Sequence, residues 1–329
     1  MKKNLRNVLV LGLGLITTIA SAQMTVESKT RALQDSEDAV KQRISVAATW
    51  GGDDWSVHTS SDVHYSVDAS AVAGYDIYEA YASTDVMGFG TLTVGRQDLS
   101  FGSGALISSN NWGLNRLTTD GADFAANFGG FDINVGAFGR DRDNNYINAG
   151  GEFSGVSFNV LMLNNGDASA HGYDFGYALM GGDLNLMYSM NSDFSENEMT
   201  MMGASYSVFE NMSLSYTMTN YSEDNLTTFS SANSAMNGGW ANGMLGYQAG
   251  GTDVSSIGLS YDLGGINLGY TMHTISHGDH DDDASVISLG YSISDNASIS
   301  LDRFTYMDEN DAGEEMEVEN TWITLEIGM

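Results

Sequence analysis

The stretch HTISHGDHDDD, residues 273 to 283, is dense in groups that bind metals. His277, Asp279, His280, Asp281 and Asp283 offer imidazole nitrogens and carboxylate oxygens over seven residues. Calcium prefers carboxylates and carbonyls; histidine favours zinc or copper. The run lacks the glycine and glutamate placements of an EF-hand loop. Lying between two strand-like segments, it reads first as a solvated external loop and only second as a metal site. No HExxH, Gly-x-Ser-x-Gly or phosphate-loop motif occurs, so nothing points to an enzyme or to a cofactor. Cysteine is absent, which removes disulfides and thiolate metal sites.

Charge is the other chemistry on offer. The chain has 43 acidic and twelve basic residues in 329, a formal charge of −31. Three of the basic residues, Lys2, Lys3 and Arg6, precede an apolar run from Val8 to Ile19 and the small-x-small site Ala20-Ser21-Ala22. This is the pattern of a secretory signal peptide over 1–22, cleaved before Gln23. The remaining chain then carries nine basic residues against 43 acids, about −34. Such a surface excludes nucleic acid as a partner and disfavours anionic lipid bound through basic patches. Cations are its natural counter-ions.

The elements that must position these charges are hairpins. IGLSYDLGGINLGYTM, residues 257–272, alternates apolar and small polar residues on both sides of Gly264-Gly265, with Tyr261 and Tyr270 flanking the turn. Side chains on a strand alternate between faces. Ile257, Leu259, Tyr261, Leu263, Ile266, Leu268, Tyr270 and Met272 therefore form one apolar face. Similar hairpins recur around Gly129-Gly130, Ser154-Gly155, Gly181-Gly182, Glu210-Asn211 and Asp295-Asn296. Between them lie longer connections, all but the first acidic and most of them Asn/Ser-rich: 102–121, 141–145, 164–170, 191–198, 222–252, 276–283 and 308–316. Proline is absent, which suits a chain that is nearly all paired strand.

Short turns alternating with long loops, and strands apolar on one face only, describe a transmembrane antiparallel up-and-down β-barrel of a Gram-negative outer membrane. Lipid then takes the place of a core, and the polar face lines a wet lumen. Residues 23–329 form the barrel. Fifteen strands can be read from Ile77 onward, a further hairpin spans GGDD at 51–54, and residues 24–33 can be the first strand. The expected count is 18, with 16 as the alternative if the N-terminal segment is unpaired. Barrels of that size enclose an aqueous channel.

Residues 77–124 contain Glu79-Ala80-Tyr81, Gly95-Arg96-Gln97-Asp98-Leu99, Trp112, Arg116 and Asp123-Phe124. The stretch resembles the alginate-export-like porin family of Bacteroidetes-type outer membranes. The resemblance implies an 18-stranded barrel passing small or charged solutes. The polyuronate exporters that name the family have basic lumens; with nine basic residues this chain departs from them.

The segment GSGALISSNNWGLNRLTTDG, 102–121, is long, moderately apolar and nearly free of acid, so it is the candidate for a loop folded into the lumen. Glu79, Arg96, Asp98, Trp112, Arg116, Asp132, Arg140, Asp174 and Asp262 are the candidate pore-lining or constriction residues. Arginines facing carboxylates could set a transverse field there. The expected function is passive passage of small hydrophilic solutes, cations preferred. A solute-specific channel and a closed structural barrel are the alternatives. Outer-membrane lipid, lipopolysaccharide and the outer-membrane assembly machinery are the implied partners, and an oligomer is compatible with the sequence.

Overall fold

In lipid every backbone N–H and C=O must be paired within the protein, so strands can span only as a closed barrel. The chain meets that demand. A computed structural model describes residues 22–34, 40–66, 74–109, 117–139, 144–225, 240–241, 244–245, 248–278, 280–309 and 315–328. The predicted signal peptide up to residue 21 lies outside them. The barrel strands are β1 (Ala22–Gln34), β2 (Val40–Gly51), β3 (Trp55–Ser66), β4 (Gly74–Asp85), β5 (Thr91–Gln97), β6 (Thr119–Phe128), β7 (Phe131–Phe138), β8 (Asn144–Phe153), β9 (Val156–Asn165), β10 (Ala168–Leu179), β11 (Leu184–Ser192), β12 (Glu198–Phe209), β13 (Met212–Tyr221), β14 (Thr252–Asp262), β15 (Ile266–His277), β16 (His280–Ser294), β17 (Ala297–Glu309) and β18 (Glu315–Gly328).

Each strand pairs antiparallel with its sequence neighbours, and β1 pairs with β18 from Glu27↔Gly328 to Gln34↔Thr321. The sheet is therefore an 18-stranded closed barrel without free edges. Closure uses the N-terminal strand, which decides for 18 strands over 16. Trp240–Ala241 and Met244–Leu245 form a small separate hairpin in the long connection between β13 and β14.

The alternation reads out as expected from the sequence. Ile257, Leu259, Ile266, Leu268, Tyr270 and Met272 lie exposed on the outer face. Tyr177, Tyr188, Tyr206, Tyr216 and Tyr291 join Tyr270 in an outward tyrosine set near the short turns. Gly264 and Gly265 have φ of 71° and 107°, the left-handed region that a tight hairpin turn requires and that glycine adopts without strain. Asp262 caps this turn, its Oδ1 accepting from Gly264 N–H at 2.6 Å.

Two predicted long loops are corrected. The 164–170 connection shrinks to residues 166–167, because Asn165 and Ala168 already pair. The 276–283 connection shrinks likewise: His277 pairs with His280, and Ser276, Ile275 and Thr274 pair with Asp281, Asp282 and Asp283. These strands run on as ladder beyond their apolar stretch.

Candidate functional site

The lumen face is built from every second residue of each strand, and a loop fills one side of it. Between β5 and β6 the described loop residues turn inward. Leu106 and Ile107 are fully buried against Phe138, Tyr146, Leu161, Leu163 and Ala170, with Leu99, Phe101 and Phe194 packed alongside. These wall residues share the inward parity of β7 to β10, since Ile147 and Met162, one step out of phase with them, are exposed on the outside. Ala105 packs further round, on Met199, Tyr221, Val254 and Ile275. Burying Leu106 and Ile107 stabilises the inward loop by about 1.5–3 kcal/mol each.

Polar contacts fix the arm that leads to this anchor. At its root, Asp98 N–H donates to Glu79 Oε1 at 3.4 Å, and Tyr78 donates its hydroxyl hydrogen to Asp98. Glu79 also accepts from Ser60 Oγ at 3.3 Å and lies 3.4 Å from His58 Nε2. His58 stacks on Tyr81 with ring centroids 4.8 Å apart. Farther along, Ser103 N–H donates to Asp174 Oδ2 at 3.0 Å, and Asn191 Nδ2 donates to Ser103 Oγ at 3.3 Å. Ser189 Oγ donates to the other oxygen of Asp174 at 2.5 Å. On the neighbouring wall Tyr146, its ring lying over Gly136, donates to Asp123 Oδ1 at 2.5 Å, and Asn134 Nδ2 donates to Asp123 Oδ2 at 3.2 Å.

The sequence candidates separate into groups. Glu79, Asp98 and Asp174 lie on the lumen side, where they hold the loop. Asp132 accepts from Asn127 Nδ2 at 2.8 Å close to the β6–β7 turn, and Asp262 sits at the β14–β15 turn; both are at the short-turn end of the barrel. Arg96 is a correction. It shares the parity of Leu92 and Val94, both exposed on the outside, and forms a two-pronged pair with Asp120 at 2.7 and 2.9 Å on that outer face. Arg303 keeps the outward parity of Ile299 and Leu301 and pairs with Glu319. Trp112, Arg116 and Arg140 lie outside the described residues.

Strand alternation also divides the proposed metal ligands. His277 and His280 fall on the lumen side with Asp282, whose Oδ1 is 3.1 Å from His280 Nε2. Asp281 and Asp283 alternate to the outer side, where Asp283 accepts from Thr274 Oγ1 at 3.1 Å. Asp279 lies outside the described residues. Among the described residues no three His, Cys, Asp or Glu come together as a metal site.

Sequence reading missed the charged wall at the barrel seam. Arg43 Nη2 lies 2.7 Å from Glu27 Oε1, and Lys29 Nζ lies 3.5 Å from Glu326 Oε1. The signal was a charge at every second position in ESKTR and in KQR, which puts those charges on one face once these segments are strands.

Residues 9–319 match the model of the family described as Gram-negative porin. Among curated protein sequences none matches. Solved barrels are similar in fold at low identity. Pseudomonas aeruginosa OccK5 (OpdH) superposes with a TM-score of 0.73 at 10% identity, over 94% of this chain and 98% of that one. Acinetobacter baumannii OccAB3 gives 0.73 at 12% identity, over 94% and 100%. Pseudomonas aeruginosa OpdK, solved with vanillate, gives 0.70 at 11% identity, over 94% and 98%.

Proposed function

The chain belongs to the Gram-negative porin family, and from that premise we propose that it passes small hydrophilic solutes by passive diffusion through its lumen, with a preference for cations. Its place is the outer membrane, where the exposed belt of Leu, Ile, Val and Tyr meets lipid. The observation that carries the reading is the inward polar face of a closed 18-stranded sheet, wide enough for an aqueous path, with residues 98–109 of the β5–β6 loop packed against one side of it. We take that loop as the constriction and its apolar anchor as what keeps it there. With the start of β1, the end of β18 and the short turns at one end, that end is periplasmic and the β5–β6 connection springs from the external one. The outward alternation of Ile323, Leu325 and Ile327 on β18 suits recognition by the barrel-assembly machinery.

A second reading, a channel selective for one class of organic solute, is favoured by the apolar packing that narrows one side of the lumen, and by a fold shared with a barrel solved with vanillate. The alginate-export-like resemblance over residues 77–124 is a third. Against polyanion export stand Lys29 and Arg43, each paired with a carboxylate. Planar-bilayer recording with ion and solute substitution tests all three. Stable ohmic conductance without solute block supports general diffusion. Block by one solute class supports the selective channel. Absence of conductance contradicts the proposal and favours a closed structural barrel.

A further inference from the structure

Opposite charges form two adjacent register rows across the barrel seam. One row runs Glu326, Lys29, Arg43, His64 across β18, β1, β2 and β3. The next, two residues along, runs Glu27, Ser45, Asp62, Asp76 across β1 to β4. Pairs link Lys29 with Glu326 at 3.5 Å, Arg43 with Glu27 at 2.7 Å and His64 with Asp76 at 3.5 Å.

Within every pair the carboxylate is the more open partner. The side chain of Glu27 is 36% exposed against 1% for Arg43; Glu326 is 44% against 8% for Lys29; Asp76 is 70% against 29% for His64. This reverses the ordinary order, in which Lys and Arg lay their stems on the surface and carry their charge into water. Arginine is almost never fully buried unless it is paired, and pairing is what this wall supplies.

We infer that Glu27, Asp76 and Glu326 are specificity-determining residues for passage, with Lys29 and Arg43 as their buried counter-charges. A solute moving along β18 to β4 meets carboxylate oxygen before it meets nitrogen. The wall favours inorganic cations and organic ammonium groups, and in each of these three pairs the group more open to an anion is a carboxylate. This rests on the porin reading and supplies the residues behind its cation preference.

The test uses the full-length protein in planar bilayers under a KCl gradient near 0.1 M. The variant Glu27→Gln/Asp76→Asn/Glu326→Gln is expected to lower the K⁺/Cl⁻ permeability ratio about threefold or more, an effect that salt screens. Lys29→Gln is expected to leave the ratio unchanged or raise it. Heat-modifiable gel mobility confirms that each barrel is folded. If the triple variant does not assemble, Glu326→Gln alone is read the same way, with a smaller fall. A chemical readout needs no conductance. In the folded wild type, carbodiimide with an amine should modify Glu27 and Glu326, while an amine-acylating reagent should spare Lys29. An unchanged ratio in the carboxylate variant, a loss of anion passage in Lys29→Gln, or rapid acylation of Lys29 overturns the inference. A wild type that conducts nothing overturns the porin reading instead.

Discussion

Gly102 stands where no side chain fits. Its φ is +56°, and a Cβ there would overlap Asp174 Oδ2 and crowd Asn159 Oδ1. The adjacent Ser103 N–H donates to that same carboxylate oxygen, so glycine at 102 is what lets the loop backbone reach the wall. Removing the acceptor with Asp174→Ala is expected to cost about 1–3 kcal/mol locally. Because the apolar anchor of the loop contributes more, the arm should loosen without leaving the lumen, and open-channel current noise should rise. Gly102→Ala should give the same noise with no change of charge. Quiet currents in both variants would contradict this account of the arm. Facing is testable at single residues too. Leu268 points outward and Asn267 inward. Leu268→Arg should lower barrel stability by about 2–4 kcal/mol if it sits near mid-membrane, and Asn267→Arg should be tolerated. Thermal gel-shift assays in detergent compare the two, and equal damage would contradict the alternation.

At the scale of elements, residues 98–109 behave as a strap with an apolar buckle. Replacing both Leu106 and Ile107 by Asp would bury two unpaired carboxylates, a cost greater than the burial energy they contribute. The loop should leave its seat, while the β-ladder, which does not depend on it, should still close. Single-channel conductance is expected to rise in a barrel that keeps its heat-modifiable mobility; an unchanged conductance would place the loop outside the conduction path. The apolar character of this loop was legible in ALIS and its neighbours. Its anchors were not, because Asp174 and Asn191 meet Ser103 from 71 and 88 residues away. The strand segments above the apolar belt were misread for a different reason. Around 276–283 both faces are polar, so the period-2 pattern that marks a half-buried strand vanishes although the hydrogen-bond ladder continues. Arg96 misled in turn: a charge on a strand suggested lumen, but on the outer face it is satisfied by a carboxylate on the adjoining strand, as Arg303 is.

The whole molecule is a closed sheet whose even strand count was legible from hairpin parity, while the choice of 18 over 16 rested on the N-terminal segment and is decided by the pairing of β1 with β18. What closure does to charge was not legible. Lys29 meets Glu326 only because β1 returns to β18, a contact that no local pattern encodes. The nine basic residues outside the predicted leader are thus read by place rather than number. Among the described lumen residues, Lys29 and Arg43 lie behind more exposed carboxylates, while Arg96 and Arg303 face away from the lumen. The net field in the channel should therefore be negative, concentrating cations at its mouths. Salt should weaken it as the Debye length shortens from about 10 Å at 0.1 M to about 3 Å at 1 M. The most direct measurement is the reversal potential of single wild-type channels under a KCl gradient, taken at both salt levels. The expected result is a cation-selective potential at low salt that shrinks at high salt; an anion-selective potential at low salt would contradict the account.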